Sequence, residues 1–263
     1  MAASVSAPVS LGRFVWVELV TPDPNAAMAF YTKVVGWTVT PFPNQQEYKM
    51  WTTARGPIGG LMAIDAQMKA RGVPPHWIAY VSTADCDATV KQITGLGGQT
   101  LVPPTDIPSV GRFAVFSDPQ GAFLALLAPQ QGESPAPQGA PQAGEIVWHE
   151  LATTDYRAAF EFYHTVFGWN KTSAMEMGPG NMYQMFGQGD QPVGGMYNGD
   201  PAMKRPPSWL HYIEVADVDR AAEQIPQLGG KVLNGPLDVP GGRVVMAVDP
   251  QGAPFALHTA KPQ

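Results

Sequence analysis

The side chains best suited to chemistry are a few acidic and imidazole groups inside apolar, strand-like segments. Glu18 lies in FVWVELVT, and Glu150 lies in the similar segment IVWHELAT. His211 and His258 lie in two further apolar segments of the second half. One carboxylate and two imidazoles are a ligand set of the type that Fe(II), Zn or Ni accepts, and Glu150 or His211 could also act as a base. The first half offers only Glu18, so we expect it to be metal-free.

Tryptophan gives the second kind of candidate residue. Trp16, Trp77, Trp148 and Trp209 recur at equivalent places in four strand-like segments. Large aromatic side chains can clamp a planar or cationic small molecule. The same side chains also fill protein interiors that hold no ligand, and the sequence leaves both alternatives open. On the first alternative, the four tryptophans join Glu18 and His258 as ligand-binding residues.

The chain is a tandem repeat, and this decides how many elements must position these residues. Segment 15–37 matches segment 147–169 with more than half of the positions identical. The shared motifs also include PIGGLM against PVGGMY and a repeated Asp-Pro-Gln-Gly. Between the copies lies QQGESPAPQGAPQAGE, which is typical of a flexible linker. We therefore predict a first domain over 12–129, a linker over 130–145 and a second domain over 146–260.

Each copy is predicted to contain two βαβββ modules. The β-branched and aromatic run 14–21 predicts a strand, and apolar residues at helical spacing predict a helix over Pro24–Val34, capped by Asp23 or Thr21. Gly36 ends that helix. Three short strands follow, and then strand 76–82, a helix over 85–96 and three more strands complete the copy. The sequence thus predicts an α+β protein with mainly antiparallel sheets.

Composition narrows the function. The formal net charge is −6, and no run of Lys or Arg occurs, which argues against a nucleic-acid surface. Cys86 is the sole cysteine, so no intramolecular disulfide can form. The apolar stretches are too short for a membrane span, and the first residues lack signal-peptide features. We expect a cytoplasmic protein, a monomer or homodimer, whose partner is a small-molecule ligand.

Motifs at matched places in both copies give a specific resemblance. They are Phe-Tyr-x₄-Gly-Trp at 30–37 and 162–169, and Asp-Pro-Gln-Gly at 118–121 and 249–252. This pattern resembles the vicinal-oxygen-chelate superfamily of glyoxalases, bleomycin-resistance proteins and dioxygenases, and it covers nearly the whole chain. The resemblance implies four βαβββ modules forming two tandem glyoxalase/bleomycin-resistance-type domains with cupped sheets.

The resemblance also says where metal ligands would stand. The first ligand position holds Trp16 and Trp148, the next holds Ala79 and His211, and the last holds Ala125 and Ala256. Strand alternation places Glu150 and His258 two residues from these positions, on the same face. The resemblance thus implies at most one divalent ion (Fe, Zn, Ni or Mn), in the second domain, held by Glu150, His211 and His258. The competing interpretation makes these groups ordinary hydrogen-bonding partners.

Two further groups flank the predicted cup. Alternation turns His149 away from it, toward the helices, as a structural hydrogen-bonding residue. Arg112 and Arg243 stand at equivalent places near the predicted mouth. Each is expected to pair either with an anionic ligand or with the Asp of the nearby Asp-Pro-Gln-Gly, and the structural role is favoured.

Three functions remain after these steps. The first is a binding or sequestering protein that holds a small molecule in an aromatic-lined cup with degenerate metal sites. The second is a metal-dependent lyase or dioxygenase with its site in the second domain and Glu150 and His211 as catalytic residues. The third makes one copy an interface without a ligand. A fold can host many chemistries, so the site must decide among them.

Overall fold

The computed structural model describes residues 11–43, 45–131, 139–178 and 180–261, with the side chains of residues 45–47 excepted. Residues 132–138 of the predicted linker lie outside the described residues. The first repeat contains the strands and helices β1 (Phe14–Thr21), α1 (Pro24–Val34), β2 (Thr38–Phe42), β3 (Gln45–Thr53), β4 (Gly56–Ala63), α2 (Ala66–Ala70), β5 (His76–Ser82), α3 (Cys86–Gly95), β6 (Gln99–Ile107), β7 (Gly111–Ser117) and β8 (Phe123–Pro129).

The second repeat follows the same order. Its elements are β9 (Ile146–Thr153), α4 (Tyr156–Phe167), β10 (Asn170–Glu176), β11 (Met182–Gln188), β12 (Gln191–Asn198), a 3-10 turn (Pro201–Met203), β13 (Ser208–Glu214), α5 (Val218–Gln227), β14 (Lys231–Val239), β15 (Gly242–Val248) and β16 (Pro254–Ala260). Among the residues that the structure describes, no helix is long and apolar enough to span a membrane.

The first helix shows why local signals located the elements well. The Asp23 side chain accepts a hydrogen bond from the Ala26 amide at 3.0 Å, as an N-cap does. Phe30 and Tyr31 are among the side chains that the helix buries. Gly36 follows the helix with a φ of +85°, which a glycine adopts without strain. The predicted strand 14–21 and helix 24–34 are therefore confirmed.

Other local predictions fail where no apolar stripe exists or where it is shifted. Helix α2 was not predicted, because none of its residues is buried and only the Asp65 cap marks it. The predicted helix over 85–96 includes Leu96, but α3 ends at Gly95, and Leu96 follows it with 41% of its surface exposed. Helix α5 buries Val218, Ala221 and Ile225.

Each repeat contributes one eight-stranded mixed sheet, so the predicted α+β class is confirmed. The strand orders are β2-β3-β4-β1-β5-β8-β7-β6 and β10-β11-β12-β9-β13-β16-β15-β14. The β1–β4, β9–β12, β5–β8 and β13–β16 pairs are parallel, and the pairs within each three-strand meander are antiparallel.

The most compact units of the structure do not follow the repeats. One, here called the α3–α4 unit, takes its described residues from 1–15, 79–138 and 149–209. The other, the α1–α5 unit, takes them from 16–78, 139–148 and 210–263. The predicted domain boundaries follow the repeats, whereas each compact unit combines a module of one repeat with a module of the other.

The core of the α1–α5 unit joins the two repeats through their shared motifs. Tyr31 is fully buried and donates a hydrogen bond to Asp249 at 3.2 Å, while Trp77 donates to the Tyr31 hydroxyl at 2.9 Å. The Phe30 ring meets Phe255 edge-on with centroids 5.8 Å apart. The Phe-Tyr motif of the first repeat therefore bonds to the Asp-Pro-Gln-Gly motif of the second.

The α3–α4 unit repeats this arrangement with the copies exchanged. Tyr163 donates to Asp118 at 3.0 Å, and Trp209 donates to the Tyr163 hydroxyl at 3.2 Å. Asp118 also accepts from the Ala122 and Gln120 amides at 2.9 and 2.8 Å. Burial raises the pKa of Asp118, and these hydrogen bonds oppose the rise. Both motifs thus serve the cores.

Candidate functional site

A hydrogen-bonded group of three side chains lies on the first repeat's sheet, within the α1–α5 unit. Trp16 and Glu18 share one face of β1, because residues two apart in a strand point the same way. Tyr48 reaches them from β3. Its hydroxyl accepts a hydrogen bond from the Trp16 indole at 3.3 Å and is hydrogen-bonded to the Glu18 carboxylate. The indole and the carboxylate predicted to bind a ligand are therefore joined by a tyrosine.

The second repeat builds the same pair within the α3–α4 unit. Tyr183 of β11 donates a hydrogen bond to Glu150 of β9 at 2.9 Å. Tyr197 of β12 stacks on Tyr183 with ring centroids 6.0 Å apart. The first repeat has Met62 at the place of Tyr197, so the second site carries an additional phenol.

The repeated Gly-Gly pair of β4 and β12 makes room for these tyrosines. A Cβ on Gly60 would lie 1.8 Å from the Tyr48 hydroxyl oxygen, and a Cβ on Gly195 would lie 2.0 Å from the Tyr183 ring. The preceding Gly59 lies against β1, where a Cβ would be 2.6 Å from the Val17 carbonyl oxygen. Comparison of the two repeats shows that these glycines recur. The structure shows why glycine is needed there: the strand and the tyrosine ring approach too closely for a Cβ.

The electrostatics keep the phenols of Tyr48 and Tyr197 protonated. Burial raises the pKa of Tyr48 well above its ordinary value, and the charge of Glu18 and its hydrogen bond add to the rise. Burial and then Glu150 raise the pKa of Tyr197 to about 12, while Arg205 opposes the rise. A protonated phenol is a hydrogen-bond donor, so Tyr48 and Tyr183 orient the carboxylates as acceptors.

His211 lies in a different environment from the one its sequence position implied. It is 4% exposed and lines a small apolar cavity in the α1–α5 unit. The other residues around this cavity are Val17, Trp37, Trp77, Ile146, Ile213 and Phe255. Burial lowers the pKa of His211 to about 3, so its ring is neutral.

His258 has a partner that sequence reasoning missed. Its Nδ1 lies 2.5 Å from the Glu214 carboxylate, and the two residues are paired across β13 and β16. Because His211 is three residues from Glu214 on β13, the two side chains point to opposite faces of the sheet. The structure therefore does not bring His211 and His258 together. The register that pairs Glu214 with His258 is a tertiary property, and knowing it would have identified Glu214 as the partner of His258.

The four tryptophans divide between two environments. Trp77 and Trp209 bond to the helix tyrosines and belong to the two cores. Trp16 bonds to Tyr48, and Trp148 packs against a cluster of Tyr212, Val244 and Ala256. Trp16 and Trp148 are half-buried, so they retain accessible aromatic surface.

Two supporting groups take structural roles. His149 is 6% exposed and stacks on Phe14 with centroids 3.5 Å apart. Arg112 pairs with Asp87 at 2.6 Å and with Asp106 at 2.8 Å, and Arg243 repeats this with Asp219 and Asp238. The expected pairing of these arginines with the Asp-Pro-Gln-Gly carboxylates was wrong, because those carboxylates bond to Tyr163 and Tyr31.

The donor set does not fit a divalent metal. Within the described ranges, no three His, Cys, Asp or Glu residues lie close enough together to hold an ion. The predicted ligands are committed elsewhere: Glu150 to Tyr183, and His258 to Glu214. His211 sits among apolar core residues. Three converging donors with an open position are the usual requirement of a catalytic metal site, and these residues do not meet it.

Comparison with known proteins is consistent over both repeats. The model of the Glyoxalase/Bleomycin resistance protein/Dioxygenase superfamily matches residues 13–126 and 145–257. CFP32 of Mycobacterium tuberculosis, provisionally named a glyoxylase, is 34% identical over 252 residues, which cover 94% of this chain and 95% of CFP32. The anthracycline biosynthesis protein DnrV of Streptomyces peucetius is 31% identical over 262 residues, covering 94% of this chain and 92% of DnrV.

Solved structures show the same fold at low identity. The 2,3-dioxygenase LapB from Pseudomonas sp. KL28 superposes with a TM-score of 0.64 at 14% identity, covering 97% of this chain and 94% of LapB. The Mn(II)-bound glyoxalase from Novosphingobium aromaticivorans also gives 0.64 at 14% identity, covering 95% of this chain and 82% of the glyoxalase. The family model and the relatives that span nearly the whole chain establish that this protein belongs to the Glyoxalase/Bleomycin resistance protein/Dioxygenase superfamily.

Proposed function

We propose that this protein binds a planar aromatic small molecule at its carboxylate–tyrosine sites, one in each repeat, without a metal. The observation that carries this proposal is the repeated pair itself. In both repeats a glutamate of the first strand (β1 or β9) bonds to a tyrosine of the third strand (β3 or β11). A glycine of the next strand (β4 or β12) makes room for the tyrosine. A second copy that retains the same polar group inside an apolar sheet indicates a ligand contact.

The chemistry of the pair sets the ligand class. An ionised carboxylate only accepts hydrogen bonds, so the matching ligand carries a hydroxyl or amine donor. In the first repeat, half-buried Trp16 and Tyr48 flank Glu18, and aromatic side chains stack on planar rings. In the second repeat, Tyr197 adds a ring beside Glu150. A polycyclic phenol satisfies both the acceptor and the rings.

The relatives support an aromatic ligand. DnrV is named for anthracycline biosynthesis, and it matches this chain along nearly its full length. Anthracyclines are hydroxylated, planar, polycyclic quinones, which is the class that a carboxylate beside aromatic rings would accept. The name of CFP32 instead supports the alternative of a metal-dependent lyase. For the dioxygenase alternative, the support is the fold that this chain shares with LapB.

A titration with quinizarin, a dihydroxyanthraquinone, tests the proposal through quenching of tryptophan fluorescence. We expect Glu18→Gln and Glu150→Gln each to weaken binding at its own site by roughly 10- to 100-fold, because a hydrogen bond to a charged group contributes about 1.5–3 kcal/mol. Gln retains an acceptor for the tyrosine and therefore the local fold. Wild-type affinity in the double variant would exclude these sites.

Two controls sharpen the titration. Glu161 lies exposed on α4 and pairs with Lys171 at 3.2 Å, so Glu161→Gln should bind quinizarin as the wild type does. Anthraquinone lacks the hydroxyl donors, and its affinity should respond little to either glutamate substitution. Elemental analysis after loading with Fe(II), Zn, Ni and Mn tests the alternative: one tight equivalent per chain, lost in Glu150→Ala, would favour a metal-dependent enzyme.

A further inference from the structure

The segment before β9 is bound to the first repeat by an ion pair. In the turn between β3 and β4, Arg55 Nη1 donates to both oxygens of the Glu145 carboxylate, at 3.0 and 3.2 Å, and Nη2 donates to the Ala140 carbonyl oxygen at 3.2 Å. The Glu145 carboxylate also accepts from the Gln142 amide at 2.9 Å. The Glu145 side chain is 9% exposed and the Arg55 side chain 29%. A charged pair that is largely withdrawn from water depends on both of its partners.

The equivalent places in the other compact unit carry the opposite charges. Repeat alignment places Asp190 where the first repeat has Arg55, two residues before the Pro of the shared Gly-Gly segment. It places Arg13 where the second repeat has Glu145, immediately before the first strand. Gln188, at the end of β11, donates a hydrogen bond to the carbonyl oxygen two residues before Arg13. Both signs are therefore reversed between the α1–α5 unit and the α3–α4 unit.

The backbone beside these charges is anchored in the same way in both units. In the α1–α5 unit, the Trp37 indole donates a hydrogen bond to the Gly144 carbonyl oxygen at 2.8 Å. In the α3–α4 unit, the Trp169 indole donates to the Gly12 carbonyl oxygen at 2.7 Å. Each of these glycines directly precedes the charged residue. The two charged residues therefore leave equivalent anchors, and only their charge differs in sign.

The shared motif bonds do not by themselves choose the partner of a repeat. Both repeats carry the helix tyrosine, the indole that donates to it and the Asp of Asp-Pro-Gln-Gly, so a repeat could form the same bonds with a second copy of itself. Such a pairing of like repeats would set Arg55 of one copy against Arg13 of the other, and Asp190 against Glu145. Juxtaposed like charges strongly disfavour a partner. The charges therefore favour the pairing of unlike repeats.

A difference between the two cores has the same effect. In the α1–α5 unit, buried His211 and Val17 line one small cavity. In the α3–α4 unit, buried His149 stacks on Phe14, and Ala79 stands at the place of His211. Two first repeats would combine Val17 with Ala79 and leave a void. Two second repeats would bring both imidazoles into one core, which overpacks it.

We propose that the reversed charges at this junction make the two repeats recognise each other and exclude a second copy of the chain as a partner. The interaction surface is the Arg55–Glu145 contact in the α1–α5 unit, together with the positions of Arg13 and Asp190 in the α3–α4 unit. Partner choice of this kind needs an attractive pair and a repulsive alternative, and the four charges supply both.

Two substitutions that reverse the preference test the proposal in the full chain. Arg55→Glu with Asp190→Arg sets like charges together within one chain, but opposite charges when like repeats meet across two copies. The proteins are unfolded in urea, refolded at high concentration and measured by size-exclusion chromatography with light scattering. We expect the variant to form a species of twice the wild-type mass, with an association constant roughly 100-fold or more above that of the wild type. High salt should reduce this difference, because it screens the charges.

A quadruple variant is the matched control. Adding Glu145→Arg and Arg13→Glu to the first two substitutions reverses every charge, so pairing within one chain is attractive again. This variant carries more substitutions than the double variant, yet it should refold with the wild-type mass. A double variant that refolds with the wild-type mass would overturn the proposal, and so would a quadruple variant that stays at twice that mass.

Melting temperatures keep the test decisive if the double variant does not refold. Arg55→Glu and Glu145→Arg alone should each lower Tm by about 5 °C or more, and the two together should restore most of the loss. Tm values that the paired substitution does not restore would show that charge does not select the partner here. Quinizarin binding reports on Glu18 and Glu150, so either proposal can fail without the other.

Discussion

The substitution Tyr31→Phe tests whether the bond between the two repeats stabilises the α1–α5 unit. It removes one hydroxyl and leaves the ring, which is fully buried and packs on Trp37, Trp51 and Phe255. The hydroxyl bonds to Asp249, which is 2% exposed and cannot replace the lost donor with bulk water. The substitution therefore removes two hydrogen bonds of this core: the one that the hydroxyl donates to Asp249 and the one that it accepts from the Trp77 indole.

The expected loss follows from this geometry. A hydrogen bond to a charged acceptor contributes about 1.5–3 kcal/mol to the free energy of unfolding, and the neutral hydrogen bond from Trp77 contributes about 0.5–1.5 kcal/mol more. For a chain of this size 1 kcal/mol changes Tm by about 2–4 °C, so Tyr31→Phe should lower Tm by about 4–18 °C. Calorimetry or circular dichroism measures the shift. Tyr156→Phe is the matched control, because the hydrogen bond that the Tyr156 hydroxyl accepts from Arg157 is exposed to solvent. An unchanged Tm in Tyr31→Phe would refute the argument.

The same variant should show a defined pH dependence. Burial raises the pKa of Asp249, and the hydrogen bond from Tyr31 opposes this rise by favouring the ionised carboxylate. Its contribution is full where Asp249 is ionised and is lost as pH falls and the carboxyl becomes protonated. The Tm difference between wild type and Tyr31→Phe should therefore be larger in neutral than in acidic buffer. A difference that grows on acidification would reverse the assigned sign.

Two further substitutions address the site and the core. Gly60→Ala places a Cβ 1.8 Å from the Tyr48 hydroxyl oxygen, so it should displace that ring, cost about 1–3 kcal/mol and weaken quinizarin binding, whereas Gly95→Ala, with open space around it, should do neither. Burial lowers the pKa of His211 from 6.5 to about 3. Between these two pH values the imidazole is protonated in the unfolded state and neutral in the folded state. The free energy of unfolding should therefore decline by about 1.4 kcal/mol per pH unit as pH falls through that range. His211→Leu should remove this acid sensitivity in urea unfolding, and His164→Gln should keep it; equal slopes in all three proteins would contradict the buried, neutral ring.

The fold was largely predictable because its signals are local. Helical spacing, the Asp23 cap and glycine punctuation located α1 and β1 within a residue or two. The exposed helix α2 carries no such stripe and was missed. The pairing of Tyr31 with Asp249 depends on which modules pack together, and a repeat in the sequence does not state that.

For the candidate site, the sequence predicted which side chains of one strand share a face, but not which side chains of neighbouring strands meet them. Alternation placed Glu18 and Trp16 on a common face, and the structure joins them through Tyr48. The register of β3 against β4 supplies the tyrosine, and register is a tertiary property. A shift of one residue along a strand moves a side chain to the opposite face of the sheet. The motif-based assignment expected His211 and His258 on one face, but β13 directs His211 to the face opposite His258.

The repeats also explain why two histidines, His149 and His211, are buried in the two compact units. In the α1–α5 unit, Val17 and His211 line the same small cavity. The equivalent positions in the other copy hold His149 and Ala79, so the large residue has changed strands. Each compact unit thus receives one buried imidazole from the second repeat, as complementary core packing requires. Such exchange is expected of residues that fill volume, because a catalytic imidazole would have to keep its position. The polar pairs that both repeats keep are the glutamates bonded to Tyr48 and Tyr183.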